Sequence, residues 1–269
     1  MLGEEVFRAI ADLGADALQD EKIREVGYSN KYLTEPIEAL RYFLYRMFFR
    51  GRPDRLSEAY ANDALQKVRG VIARGGWEAL KTQLSDWKEG SDPIGLGSRT
   101  LEDYDFPDSD TKMVYDALRE LLSLPDKNMV RYAKDCIKTG HIRKVYEKIT
   151  RIRYVKDKLA CMYLRDVAYL YGLLGEIRED EVRYFLPIDT WVRQFCKNLK
   201  MVENVKADNE LFKERIIEKC SEFSPRISPV CFDHGLWILS QLRYTVKNLD
   251  LVKRNTGSLE IIRNSGVIG

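Results

Sequence analysis

Residues 152–191 read IRYVKDKLACMYLRDVAYLYGLLGEIREDEVRYFLPIDTW, and the reading of this stretch decides the fold. Its opening residues carry Lys158 where a basic segment without Pro or Gly turns into an apolar helix. Leu159, Met162, Tyr163, Val167, Leu170 and Leu173 recur there at helical spacing. Its closing residues, Leu186-Pro187-Ile188-Asp189-Thr190, place an acid at the start of the next helix, with Val192, Phe195 and Cys196 turned inward. Lys158 and Asp189 stand 31 positions apart (189 − 158).

The same period runs outward in both directions. Val6, Ile10, Leu13 and Leu18 predict a helix over 4–20, and Ile37, Leu40, Phe43, Leu44, Met47 and Phe48 predict a deeply buried one after Pro36. Further helices are expected over 54–69, 77–87, 113–124, 128–138, 142–149, 157–174, 190–199, 211–220 and from 231 to about 248. No segment alternates with period two between turn signals. The fold class is therefore all-α. Between 88 and 110 the pattern breaks into a long loop, the place where two helical lobes would divide. No linker separates independent domains, so 1–269 reads as one unit, with a hairpin and catalytic region at about 140–200.

The totals exclude several classes. In 269 residues, 45% are hydrophobic and 32% charged, ordinary for a globular chain with a sizeable core. No apolar run approaches the roughly 18 residues of a membrane span. The acidic, amphipathic start MLGEEVFRAIADLG is neither a signal nor a transit peptide, and the expectation is an intracellular protein of the prokaryotic cytoplasm. Five cysteines without a Cys-x-x-Cys pair read as buried thiols, and two histidines, His141 and His234, make a histidine-rich zinc site a poor expectation; no metal is expected. Net charge is only +2, but ten Lys/Arg fall between Arg131 and Lys158 against Asp135, Glu147 and Asp157. Such a stripe suits phosphate contacts, though on charge alone a solvated helix face is the better reading.

Lys158 and Asp189 each have a plain reading and a chemical one. A lysine in the first turn of a helix commonly snorkels to water. One held near apolar surface and other cations has its pKa lowered and becomes an amine nucleophile able to form a Schiff base. An aspartate before a helix is first a cap; facing a cleft, it can also stabilise a developing cation or move a proton.

The combination resembles the helix-hairpin-helix DNA glycosylase superfamily. Its signature, L-P-G-V-G-x-K-x-A, runs through a hairpin into a helix, and a P-V-D-x-x-V segment follows at the next helix start. Residues 152–160, IRYVKDKLA, keep the aliphatic first position, Val155, Lys158 and Ala160; residues 186–192 keep Pro187, Asp189 and Val192. Tyr154 and Lys156 stand where the family has its two glycines. The archaeal 8-oxoguanine glycosylase branch is similar in its basic, glycine-poor hairpin and in a late L-D-x-x-L-W helix, matched here by Cys231-Phe232-Asp233-His234-Gly235-Leu236-Trp237.

The resemblance implies a glycosylase fold of two helical lobes flanking a cleft, and a monomer acting on double-stranded DNA that contains a damaged base, without a cofactor. It implies Lys158 as nucleophile and Asp189 as its acid/base support. Asp233 would hydrogen-bond the extruded purine, Trp237 would stack on it, and Met162 would lie opposite, at a position normally aromatic. Arg151, Arg153 and Lys156 would meet DNA phosphates by charge. The expected activity is excision of 8-oxoguanine with strand cleavage. Another lesion, suggested by Met162, and a non-catalytic DNA-binding role, suggested by the missing glycines, remain alternatives.

Overall fold

Thirteen α-helices follow one another in the computed structural model, which describes residues 3–49, 54–85, 87, 91–96, 108–244 and 249–267. They are α1 (Glu4–Glu25), α2 (Ser29–Thr34), α3 (Pro36–Met47), α4 (Asp54–Ser85), α5 (Asp108–Leu122), α6 (Met129–Lys138), α7 (Ile142–Thr150), α8 (Asp157–Leu170), α9 (Thr190–Asn198), α10 (Asn209–Ser221), α11 (Pro229–Tyr244), α12 (Leu249–Arg254) and α13 (Thr256–Asn264). Among the described residues there is no strand, so the chain is all-α. None of their helices is long and apolar enough to cross a membrane.

Local chemistry explains the boundaries. Pro36 occupies the first turn of α3, where its missing N–H costs nothing. Two helices expected over 54–69 and 77–87 are the two arms of α4, interrupted where Gly75 and Gly76 leave helical geometry (φ −167° and +67°). The helix expected to reach residue 174 stops at Leu170, because Gly172 adopts φ +67° and turns the chain. Most of the loop expected over 88–110, namely 88–90 and 97–107, lies outside the described residues; Asp108 already begins α5.

The chain divides into two compact units, one of residues up to Gly27 with Ala168 onward, the other Tyr28–Val167. The division does not fall at the 88–110 loop. It falls where it does because α1 packs along α11 far more closely than ordinary side chains allow. A Cβ on Gly14 would stand 1.9 Å from the Cys231 carbonyl oxygen, and one on Gly235 would stand 1.9 Å from that of Ile10. Two glycines at one crossing let the backbones touch, and Phe7 stacks on Phe232 beside it (5.3 Å between centroids, 13°).

The Tyr28–Val167 unit has its own core. Ala39, Leu40, Phe43, Leu44 and Met47 of α3 are buried. Phe43 meets Tyr163 edge-on at 5.0 Å, and Tyr42 lies between Tyr32 (4.8 Å) and Tyr163 (6.1 Å). Each large side chain so buried contributes roughly 1.5–3 kcal/mol of transfer free energy. Asp166, also buried, pairs with Arg46 at 2.7 Å and with Arg165 at 2.8 Å.

Candidate functional site

The basic stretch folds as α6, α7 and the start of α8. Asn128 caps α6: its side-chain oxygen accepts the Arg131 N–H at 2.8 Å, and its amide donates to the carbonyls of Tyr32 (2.9 Å) and Leu33 (3.1 Å). Gly140 at φ +65° turns the chain into α7, which lays Ile142, Val145 and Ile149 against the core.

Residues 151–156 then form a tight hairpin between α7 and α8. Ile152 and Val155 are buried, and the Val155 N–H closes a turn onto the Ile152 carbonyl at 3.0 Å. Tyr154, third in that turn, adopts φ +65°. The left-handed conformation is therefore present at a position where the glycosylase signature has glycine, although the residue is tyrosine.

Arg153 is anchored rather than displayed. Its Nε and Nη2 donate to Asp116 at 2.6 and 3.0 Å, its backbone N–H reaches the same carboxylate at 3.2 Å, and its guanidinium lies 4.9 Å above the Trp87 ring. Arg151 and Lys156 are exposed. Elsewhere in the stripe Lys148 donates to Glu120 at 2.8 Å, Arg131 pairs with Asp126 at 3.2 Å and Arg143 with Glu147 at 2.7 Å. The exposed cations of the stripe outside such pairs include Lys138, Lys144, Arg151 and Lys156.

Lys158 sits in the first turn of α8, half-buried between exposed Lys156 and buried Leu159 and Ala160. Its neighbour Asp157 accepts from the Tyr146 hydroxyl at 2.9 Å, which fixes the helix start. Met162, one turn along from Lys158, is buried.

Asp189, Asp233 and Trp237 belong to the other unit. Asp189 is the N-cap of α9: its Oδ1 accepts the N–H groups of Trp191 and Val192, both at 2.9 Å. Buried Leu186, Pro187 and Ile188 hold the chain ahead of it. Arg193 locks the far side of α9, donating to the carbonyls of Val205 (2.9 Å) and Ala207 (2.6 Å).

On α11, Asp233 is fully buried, near Cys196 of α9 and Cys220 of α10. Burial, joined by the charge of Asp233, pushes both thiols up, Cys220 to about 12. Trp237 is half-buried and stacks on buried His234 (5.4 Å, 20°). In this unit the sequence reading missed a cavity of about 650 Å³ lined by Phe7, Leu199, Met201, Val202, Leu211 and Lys219 among others; none of the predicted site residues lines it. Its walls come from α1, α10 and the segment after α9, a convergence no sequence spacing announces.

Among the described residues, no group of three or more His, Cys, Asp or Glu is arranged to hold a metal ion. No family model matches the chain, and no solved structure matches it. An uncharacterized protein of Methanocaldococcus jannaschii is 32% identical over 74 residues, which are 27% of this chain and 16% of that protein. The chain thus covers less than a fifth of that relative's length.

Proposed function

We propose that this chain is a helix-hairpin-helix DNA glycosylase with associated lyase activity. Its substrate is double-stranded DNA carrying an oxidised purine, 8-oxoguanine, and its role is base excision repair. The observation that carries the reading is the hairpin between α7 and α8: Tyr154 at φ +65°, and a half-buried Lys158 in the first turn of the second helix. The superfamily signature has glycine where Tyr154 stands and lysine where Lys158 stands, in the same order. Asp189 at the N-cap of α9 adds the second element of that signature.

The chemistry follows from these side chains. A base inside the stack is unreachable, so the target nucleotide is extruded at a cost of a few kcal/mol. The Lys158 amine attacks C1′, the C1′–N bond breaks, and the base leaves with a proton. The sugar ring opens to a Schiff base; loss of a C2′ proton then breaks the C3′–O bond and releases the 3′ phosphate. The resemblance gives Asp189 the support of the positive charge that develops at the sugar and a part in activating the amine. Arg151 and Lys156 hold the DNA backbone.

Trapping with borohydride on duplexes bearing single lesions tests the reading. The expected result is a covalent adduct with 8-oxoguanine DNA, lost in Lys158→Gln. An adduct that persists in Lys158→Gln, or none with any lesion, refutes it. The full burial of Asp233 and the burial of Met162 favour a second reading, in which the same chemistry serves a different lesion. An adduct with an oxidised pyrimidine or a mispaired base, and none with 8-oxoguanine, selects it.

A further inference from the structure

Tyr154 combines two costs in one residue. Its backbone lies in the left-handed region, which a non-glycine residue adopts only under strain. The residue is 43% exposed, and among the described residues few large hydrophobic ones are so open to water. Its neighbours on both sides could not replace it, since Ile152 and Val155 are buried and Arg153 is held by Asp116. Two other non-glycine residues among those described have positive φ, Lys127 and Lys200; both are lysines, whose charged ends gain from water. Glycine or asparagine would fill the third position of this turn at lower strain. Strain and apolar exposure at one residue point to use outside the fold.

The setting says what that use is. The hairpin is a fixed pedestal: closed by the Val155–Ile152 hydrogen bond, bolted by Arg153 to Asp116, and backed by two buried aliphatic side chains. A ring on such a base loses little conformational freedom on binding. Exposed Arg151 and Lys156 flank it in the chain, three positions before and two after. An aromatic side chain with cations a few positions away in the chain can stack a nucleobase while the cations hold its phosphates. Within an intact duplex the base faces are covered, so the ring needs an interruption in the stack.

We propose that the Tyr154 ring is a stacking platform for a nucleobase exposed at an interruption in double-stranded DNA, with Arg151 and Lys156 on the adjoining phosphates. The inference rests on the reading that the hairpin meets DNA, and it deepens that reading: the hairpin recognises the opened site by its side chain as well as holding the backbone.

The test compares equilibrium binding of a duplex with one stable abasic-site analogue and of the same duplex intact. The proteins are the parent, Tyr154→Gly, Tyr154→Asn and Tyr154→Phe. The parent binds the interrupted duplex more tightly. The Gly and Asn variants lose about tenfold on it, as expected for one stacked base, and change little on the intact duplex. The Phe variant keeps parental binding within about twofold, since the ring and not the hydroxyl stacks. Thermal stability of the Gly and Asn variants stays at or above that of the parent, because the strain is relieved. Parental binding of the interrupted duplex by Gly and Asn overturns the proposal, and so does an equal loss in Phe. Borohydride trapping on the same variants separates the two ideas. A ring-dependent preference without any adduct in the parent upholds this inference and sinks the glycosylase reading. An adduct with ring-independent binding does the reverse, and a parent that binds neither duplex overturns both.

Discussion

Arg153 and Asp116 form the bolt of the hairpin, with Nε and Nη2 on the two carboxylate oxygens at 2.6 and 3.0 Å and the Arg153 N–H on Oδ2 at 3.2 Å. Its partner lies 37 positions upstream, on α5. A charge engaged this way is not available to a phosphate. Arg153→Ala is therefore expected to lower stability by about 1 kcal/mol, the pair being partly open to solvent, and to leave the salt dependence of DNA binding unchanged. Lys156→Ala and Arg151→Ala should each reduce the slope of log K against log salt by about 1. Titrations at several salt concentrations decide it: a shallower slope for Arg153→Ala than for Lys156→Ala reverses the assignment.

The Gly14–Gly235 crossing sets a second expectation. At 1.9 Å from a carbonyl oxygen an added methyl cannot be absorbed by moving a side chain; the helices themselves must separate. Gly235→Ala or Gly14→Ala should cost about 3 kcal/mol, the upper range of overpacking, or prevent folding. Gly70→Ala on α4 is the control. Its Cβ would meet nothing nearer than the Arg74 guanidinium at 3.8 Å, and it should gain about 0.5–1 kcal/mol of helix stability. Thermal melts of the three variants check the order.

Much of this architecture was legible in the chain, and the parts that were not share a cause. Helical period located α3 and α8, Pro36 set a local start, and Asp189 declared its cap, because each depends on residues within a turn or two. Charge did not read as well. The ten cations from Arg131 to Lys158 looked like a free stripe because Asp116, Glu120 and Asp126, which hold Arg153, Lys148 and Arg131, lie upstream of the window. The partition into units was hidden for the same reason: Gly14 and Gly235 meet across 221 positions (235 − 14). Asp233 and Trp237 share a helix spacing but not an environment. The first is buried near two thiols and the second stacks on His234, a difference that only the packing of α9 and α10 against α11 creates.

Asp189 allows capping and chemistry to be separated. Asparagine retains the side-chain oxygen that accepts from Trp191 and Val192, so Asp189→Asn should fold with stability within about 0.5 kcal/mol of the parent, whereas Asp189→Ala should lose about 1 kcal/mol. If the carboxylate also serves the proposed reaction, both variants lose base excision to a similar degree despite their different stabilities. Excision rates that follow the melting temperatures, intact in Asn and reduced in Ala, would leave Asp189 a cap and nothing more.

Cys220 gives a pH dependence whose sign is fixed by its surroundings. Burial, with Asp233 and Cys231 adding negative charge, raises its thiol from 9.0 to about 12 in the folded chain. The folded state therefore holds the proton more tightly than the unfolded state. The stability this contributes is complete below pH about 9 and is lost as pH rises towards about 12. Melting temperature should fall across that window. In Cys220→Ala, which starts lower because a buried sulfur is removed, the fall should be shallower. Thiol reagents at pH 8 should leave Cys220 and fully buried Cys196 unmodified in the folded protein and react with both in denaturant. Rapid modification of Cys220 under native conditions would show that the space between α10 and α11 opens to solvent, and the alkaline slope would then have another origin.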